Sequence, residues 1–257
     1  MDLAEPAGSR LRLDWRFRGP PASANGGFAA GTLAALLDGA VEVEVTLRRP
    51  LPLDRPLGAR HDGGGTLLLE DDGRRLAEAR PSATGVELTV PDAPTRGEAR
   101  AAAGRAAYYD DPVFPSCFVC SPDRAPGDGL RIFPGKVAAR SVWAAPWTPD
   151  PSVGGPDGRV RGEVVWASLD CPGGIAVTEA TTLPADTAVL LGRMTARLAA
   201  RPRTGTEHRV VAWLISSEGR KLTAGSALLA PDGEVLAAAR AVWITVPRTA
   251  LTDGEPQ

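Results

Sequence analysis

Residues 163–174 read EVVWASLDCPGG, and the organisation of the second half of the chain follows from this stretch. Apolar side chains recur through residues 163–171 at the three- and four-residue spacing that is typical of a buried helix. Pro172 lacks a backbone N–H and disfavours helical geometry at the residue before it, so we predict that the helix ends at Cys171. A lone carboxylate, Asp170, therefore stands at the end of an apolar helix.

Predicted strands surround this helix on both sides. The segments on which this prediction rests are rich in apolar and β-branched residues, and the turns SEGR and PDGE separate the last three. The five predicted strands of the second half cover residues 140–147, 188–199, 207–218, 220–231 and 234–246.

The first half of the chain shows the same order of elements. A helix is predicted over residues 28–37, with Gly39 as the left-handed residue that closes it. One strand precedes this helix and four follow it, separated by DGGG and DDG turns. The predicted strands of the first half cover residues 10–17, 41–47, 56–60, 66–70 and 75–83.

One central helix with a long antiparallel sheet, present twice, predicts the α+β class. A single sheet of this kind would leave an open face and edge strands exposed, so two copies are expected side by side. Residues 91–112 combine prolines, charges and an Ala-rich stretch, which indicates a linker with a short helix. We therefore expect an N-terminal module over residues 1–90 and a C-terminal module over 113–257.

Composition excludes several classes of function. The chain has 257 residues, a formal net charge of −2 and no block rich in lysine or arginine, so neither nucleic acid nor an anionic membrane is an expected partner. We see no secretion signal and no apolar run long enough to cross a bilayer. Three cysteines are too few for a disulfide framework, which favours a cytoplasmic protein with reduced thiols.

The spacing Cys117-x-x-Cys120 raises the question of a zinc site. Zinc usually takes four ligands from paired cysteines or histidines, whereas Cys171, His61 and His208 are scattered along the chain without such pairing. We therefore predict no metal and no cofactor, and expect the two paired cysteines to pack in the core. The sequence also lacks a Gly-x-Ser-x-Gly elbow and a phosphate-binding loop.

Three passages resemble the tandem, or double, hotdog proteins of the acyl-CoA thioesterase superfamily. CFVCSPDRAPGDGLRIFPG (117–135) is similar to a C-F-x-C-G…G-L motif, and RVRGEVVWASLDCPGGIAV (159–177) is similar to the H-G-G-x-x-x-x-L-x-D segment. ANGGFAAGTLAALL (24–37) resembles the corresponding helix start in the first half. The order of strands and helices agrees with the family over most of residues 10–246.

The resemblance assigns family roles to individual positions. In the second half, Arg161 falls on the family histidine, Gly162 and Glu163 fall on its two glycines, and Asp170 falls on the catalytic acid. In the first half, Asn25 falls on the histidine position and Gly26 and Gly27 match the glycines, whereas Ala34 replaces the acid.

These departures are complementary, because each half keeps what the other has lost. In the family, the acid on one helix faces the start of the other helix. The resemblance therefore implies one composite catalytic site, in which Asp170 faces Asn25, Gly26 and Gly27. The unpaired N–H groups of such a helix start can stabilise the oxyanion of a thioester.

Each of these residues also has a purely structural interpretation. Asp170 could cap the end of its helix, and Asn25 could be a simple N-cap. Gly26 and Gly27 could serve only to let the helix pack closely.

The start of the second helix supplies the predicted substrate-binding residues Trp166, Arg161, Gly162 and Glu163. Trp166 stands four residues before Asp170 on the same helix face, where it could line an acyl pocket and raise the pKa of the acid, or merely pack. Glu163 is an alternative acid, although carboxylates are common in a first helical turn. Arg161 could pair with Glu163, with Asp170 or with a phosphate of coenzyme A.

The leading hypothesis is thus an acyl-CoA thioesterase, with hydrolysis at the composite site. A non-catalytic acyl- or ligand-binding protein of the same fold is the main alternative, since Arg161 and Glu163 depart from the family. A hydratase is less favoured, because no histidine lies near Asp170. The resemblance further implies that two double-hotdog chains could form a homodimer, but it leaves the acyl chain and its carrier open.

Overall fold

Two apolar helices lie against each other and against a long sheet in the computed structural model, which describes residues 9–83, 85–86, 88–91 and 93–251. The first helix is α1 (Gly26–Ala34) and the second is α3 (Gly162–Ala180). A short helix between them, α2 (Arg96–Ala103), packs against strands of the second half. The short helix predicted within residues 91–112 is thereby confirmed.

Within the described residues, eleven strands form one antiparallel sheet with the order β1-β3-β4-β5-β2-β8-β11-β10-β9-β7-β6. The strands of the first half are β1 (Ser9–Arg12), β2 (Glu42–Leu47), β3 (Pro56–His61), β4 (Leu67–Asp71) and β5 (Arg74–Pro81). Those of the second half are β6 (Gly135–Lys136), β7 (Trp143–Trp147), β8 (Thr187–Leu198), β9 (His208–Glu218), β10 (Lys221–Leu229) and β11 (Val235–Pro247).

The two halves of the chain occupy opposite ends of this sheet and meet where β2 pairs with β8. At this junction Val45 lies opposite Met194, and both side chains are fully buried. The alternating pattern of residues 41–47 therefore points one face of β2 into the core beneath the helices. The α+β class expected from the sequence is confirmed.

The predicted strands agree with the observed ones apart from their ends and two departures. The first strand stops at Arg12, and a short 3₁₀ turn follows at Trp15–Phe17, so the prediction of one strand over residues 10–17 is wrong in its second half. Asp14 accepts a hydrogen bond from the N–H of Arg16 and thereby begins this turn. The two-residue strand β6 was not predicted, because so short a segment carries no periodicity.

The first helix begins two residues before the prediction and ends earlier. Asn25 caps it, since its Oδ1 accepts a hydrogen bond from the N–H of Phe28 at 2.9 Å. Gly39 adopts the left-handed conformation with φ +72°, as expected, but it follows the end of the helix at Ala34 by several residues.

The second helix does not end at Cys171 but continues through Pro172 to Ala180, so the predicted end is wrong. A proline inside a helix is unfavourable by about 3 kcal/mol, because one hydrogen bond is lost and the ring crowds the preceding turn. Here the turns after Pro172 are buried against β10 and β11. A Cβ atom at Gly174 would lie 2.8 Å from the Trp243 ring, so this side of the helix packs closely on the sheet. Packing therefore offsets the loss.

This longer helix changes the place of Asp170, which lies in its interior rather than at its end. The interpretation of Asp170 as a cap of its own helix is therefore wrong. No helix of the described residues has both the length and the apolar character needed to cross a membrane.

We predict that Gly31→Ala destabilises the protein by about 1 to 3 kcal/mol, a typical effect of overpacking a core. Gly31 faces α3, and an added Cβ would lie 2.7 Å from the backbone Cα of Glu163 and 2.7 Å from Cβ of Trp166. Because neither is the end of a flexible side chain, the two helices would have to separate. Urea denaturation would measure the change.

The matched control is Gly97→Ala in the exposed first turn of α2, where the nearest atom would be 3.9 Å away. Alanine is favoured over glycine in helices by up to about 1 kcal/mol, so this variant should be neutral or slightly stabilised. Equal stability of the two variants would contradict the close contact between α1 and α3.

Candidate active site

Asp170 is a buried carboxylate, only 2% exposed, that reaches from α3 to the start of α1. Its Oδ2 accepts a hydrogen bond from the backbone N–H of Gly27 at 2.8 Å and another from Nδ2 of Asn25 at 2.9 Å. Its Oδ1 is buried and has no hydrogen-bond partner among the described residues. This side chain thus joins the helices of the two halves by hydrogen bonds.

Asn25 performs two tasks at once, because its amide group has two ends. Oδ1 caps α1 by accepting from the N–H of Phe28, which leaves Nδ2 to donate to Asp170. The cap therefore fixes which end of the amide faces the carboxylate. The structural and the functional interpretations of Asn25 are compatible.

Gly27 is required by the close approach of the two helices. A Cβ atom there would lie 2.4 Å from Cβ of Asp170 and 2.9 Å from the carbonyl oxygen of Trp166. Any side chain would push the carboxylate away from the N–H that binds it. Gly26 is also crowded, with an added Cβ 2.9 Å from the Leu191 side chain.

The backbone donors at the start of α1 differ in their use. The N–H of Gly27, which the sequence assigned to an oxyanion, already donates to Asp170. The N–H of Gly26 makes no hydrogen bond within the described part of the chain, and Gly26 lines a cavity. Of the two expected oxyanion donors, only Gly26 thus keeps its N–H free.

Burial is the main influence on the ionisation of Asp170. Removal from water raises its pKa to about 7, because the charged form loses its hydration. The hydrogen bonds from Gly27 and Asn25 act in the opposite direction. The negative charge of Cys117 in its thiolate form also raises the pKa of Asp170.

A cavity of about 410 Å³ opens beside this carboxylate. Asn25, Gly26 and Asp170 lie in its wall, and Arg48 and Arg49 contribute exposed positive charge to its lining. The remaining wall is mostly apolar and comes from both halves of the chain, including Leu47, Ile175, Val189, Leu191, Trp243 and Val246. A pocket of this size and character suits an apolar ligand with a polar reacting group at one end.

The predicted substrate-binding residues at the start of α3 lie elsewhere. Trp166, Arg161, Gly162 and Glu163 are not among the described residues that line the cavity. Nε of Arg161 lies 3.5 Å from Oε1 of Glu163, which is one of the three partners that the sequence left open for Arg161. The Arg161 guanidinium also lies 5.7 Å from the centre of the Phe17 ring.

Trp166 packs on α1 at Gly31 rather than on the cavity. It is four residues from Asp170, but the crossing of the two helices covers this part of the helix face. The structure therefore brings together Asp170, Asn25, Gly26 and Gly27, and it separates them from the other four residues. A substrate-binding role for those four finds no support in this geometry and stays a prediction.

The structure also brings together three cysteines that belong to separate segments of the sequence. The Sγ atoms of Cys117, Cys120 and Cys171 all lie within 4.8 Å of one another, and all three residues line the cavity. Cys171, although far from the Cys117–Cys120 pair along the chain, therefore lies beside it in space. The feature of the sequence that could have indicated this is the position of Cys171 directly after Asp170.

No protein-family model matches the chain, and no curated protein matches it. Among solved structures, an acyl-CoA thioesterase II, TesB2, from Mycobacterium marinum is similar over 96% of this chain and 95% of its own, with 13% identity and a TM-score of 0.59. A tesB protein from Mycobacterium avium subs paratuberculosis covers 92% and 91%, with 15% identity and a TM-score of 0.53. A hot dog fold protein from Alicyclobacillus acidocaldarius covers 93% and 92%, with 13% identity and a TM-score of 0.53. These likenesses show that the chain has the hotdog fold.

We predict that Asp170→Asn removes part of the pH dependence of stability. The carboxyl has a pKa of about 7 in the folded protein, against 3.8 for an unperturbed aspartate. Between these values the folded state holds a proton that the unfolded state has lost, so the free energy of unfolding falls as pH rises towards about 7. Below about pH 4 both states are protonated and this contribution is complete.

The measurement is urea denaturation of both proteins at about pH 5 and pH 8 with a chelator present. Relative to the variant, the wild type should lose about 2 to 3 kcal/mol over this interval, because each pKa unit corresponds to about 1.4 kcal/mol. Parallel pH profiles for the two proteins would show that Asp170 is solvated.

Proposed function

We propose that this protein hydrolyses an acyl thioester at a composite site between two hotdog modules. The observation that carries the proposal is the buried carboxylate of Asp170, which the second half supplies and the first half holds through Gly27 and Asn25. The apolar cavity beside it offers room for an acyl chain. The names of two structures with the same fold, an acyl-CoA thioesterase II and a tesB protein, support this reaction class.

We assign the modules to residues 1–90 and 113–257, with 91–112 as the linker. In support, every described strand of the first segment lies at one end of the sheet, and every strand of the second lies at the other. The outermost residues of both assignments, 1–8 and 252–257, fall outside the described residues. Pairing of two such chains stays a prediction.

The proposed reaction places the thioester carbonyl oxygen at the N–H of Gly26. This donor lies at the start of α1, where the positive end of the helix dipole favours a developing negative charge. Asp170 acts as the general base that removes a proton from water, whose oxygen then bonds to the carbonyl carbon. The carbon–sulfur bond breaks, and the leaving thiolate takes up the proton.

In this mechanism the hydrogen bonds from Asn25 and Gly27 to Oδ2 of Asp170 fix the position of the base. They hold the carboxylate in one orientation. Asn25 and Gly27 are thus positioning residues, and Gly26 supplies the oxyanion donor.

Coenzyme A is the carrier that we propose for the acyl group. Arg48 and Arg49 are exposed and belong to the cavity lining, where they could meet an anionic carrier outside the acyl pocket. Arg48 is paired with Glu78 at 2.7 Å, which leaves Arg49 as the better candidate for such a contact. A cytoplasmic location agrees with the three free thiols.

We predict that Asp170→Asn lowers kcat for hydrolysis of a panel of acyl-CoA substrates by about 100- to 10,000-fold, the usual contribution of a general base. The amide is nearly the same size but cannot accept the proton. A thiol-detecting assay of released coenzyme A gives the rate.

The control is Asp157→Asn, an exposed loop carboxylate paired with Arg201 and not among the described cavity residues. It should retain the activity of the wild type. Full activity of Asp170→Asn would exclude the mechanism. Calorimetry that detects acyl-CoA binding by the wild type in the absence of any turnover would instead favour the non-catalytic alternative.

A further inference from the structure

We propose that Cys117, Cys120 and Cys171 form a binding site for one zinc ion in the wall of the cavity. Their three Sγ atoms lie within 4.8 Å of one another, and those of Cys117 and Cys171 are 3.5 Å apart. Within the described residues, no other group of three or more histidine, cysteine or carboxylate side chains converges in this way. The proposal does not depend on the hydrolytic reaction.

The separations of the sulfur atoms suit the ion. Zinc binds thiolates at about 2.3 Å in a tetrahedral arrangement, which sets neighbouring sulfur atoms about 3.8 Å apart. The 3.5 Å between Sγ of Cys117 and Sγ of Cys171 is close to this value, and none of the pairs exceeds 4.8 Å. Small side-chain adjustments therefore suffice to place all three sulfur atoms around one ion.

Two separate elements hold the three ligands. Cys117 and Cys120 belong to a turn in which the N–H of Ser121 donates to the carbonyl oxygen of Cys117 at 3.1 Å. Cys171 is a half-buried residue in the middle of α3. A Cys-x-x-Cys turn can chelate an ion by itself, and the helix supplies the third thiolate from a fixed position.

Asn25 provides an outer partner for these sulfur atoms. Its Nδ2 lies 3.6 Å from Sγ of Cys171 and 3.9 Å from Sγ of Cys117, so the one N–H that does not donate to Asp170 can stabilise a thiolate. Such outer contacts orient metal ligands and tune their affinity. The amide would thus serve both the carboxylate and the thiolate site.

Charge and access agree with an open site. Zinc replaces the three thiol protons, which pass to solvent, so that the ion and three thiolates carry one net negative charge. The start of α1 brings the positive end of its dipole close to this charge. All three cysteines line the cavity, so an ion can enter there and its fourth ligand can be water.

The opposing interpretation is that the cysteines are small core residues, since free cysteine is among the most buried residue types. That interpretation explains their burial. It does not explain why three thiols from two elements converge around one point on the cavity wall with an amide directed at two of them.

The test uses the full chain, reduced and freed of metal with a chelator that is then removed. Titration with Cd²⁺, a spectroscopic substitute for zinc, should produce ultraviolet cadmium–thiolate absorbance that saturates at one ion per chain. Competition by Zn²⁺ should abolish this absorbance. Absence of the band, or saturation unrelated to one ion per chain, overturns the proposal.

Serine variants of each cysteine identify the ligands. Each should weaken Cd²⁺ binding by more than the about 10- to 100-fold that loss of an outer contact produces. The matched control, Ser168→Ala, changes a buried α3 hydroxyl that bonds only within its own helix, and it should bind normally. Unchanged binding by Cys171→Ser would overturn the three-ligand site.

A measurement on the wild type covers the case in which a serine variant does not fold. The intensity of the cadmium–thiolate band per bound Cd²⁺ should correspond to three thiolates, judged against cadmium–peptide complexes with a known number of cysteine ligands. An intensity that corresponds to two thiolates or fewer would overturn the proposal. Because none of these experiments measures hydrolysis, failure of this site is distinguishable from failure of the proposed reaction.

Discussion

The hydrogen bonds between Oδ2 of Asp170 and the start of α1 impose the constraint on which the rest of the site depends. For the carboxylate to reach the N–H of Gly27 at 2.8 Å, the two helices must approach more closely than any side chain at position 27 would allow. The same approach removes Asp170 from water and raises its pKa to about 7. One glycine thus links helix packing to the acidity of the candidate base.

The two ends of the helix pair have become different. At one end, Asp170 meets the Asn25 cap beside an apolar cavity. At the other end, the start of α3 carries the Arg161–Glu163 ion pair, and Trp166 fills the space against Gly31. Ala34 occupies the position that corresponds to Asp170 in the first half, so this second end lacks a catalytic carboxylate. The proposed activity therefore depends on a single site to which each half contributes a different part.

Polar groups are concentrated where the cavity meets the helices. A carboxylate, an amide and three thiols share this small region, whereas most of the remaining wall is apolar. Buried polar groups are unfavourable unless each finds a partner, and Oδ1 of Asp170 has none among the described residues. Buried polar groups without partners lower the stability of the folded protein, and such groups are found mainly at functional sites.

Local sequence patterns were sufficient for much of the fold. Alternation over residues 41–47 and the turns DGGG, SEGR and PDGE marked strands that the structure confirms, because alternation directly reflects which face of a strand is buried. Asn25 before an apolar helix likewise indicated a cap. The approach of Asp170 to Asn25 came from the resemblance to a family, since no local pattern connects residues so far apart.

Packing alone set the remaining features. From the sequence alone, Pro172 predicts the end of a helix. In the structure α3 continues through Pro172, because the helical turns that contain the following glycines pack closely against Trp243 on the sheet. The convergence of Cys171 with a turn more than fifty residues earlier, and the turning of Trp166 away from the cavity, depend on how α3 crosses α1. Sequence periodicity reports the environment of one element, whereas these contacts arise only when separate elements meet in space.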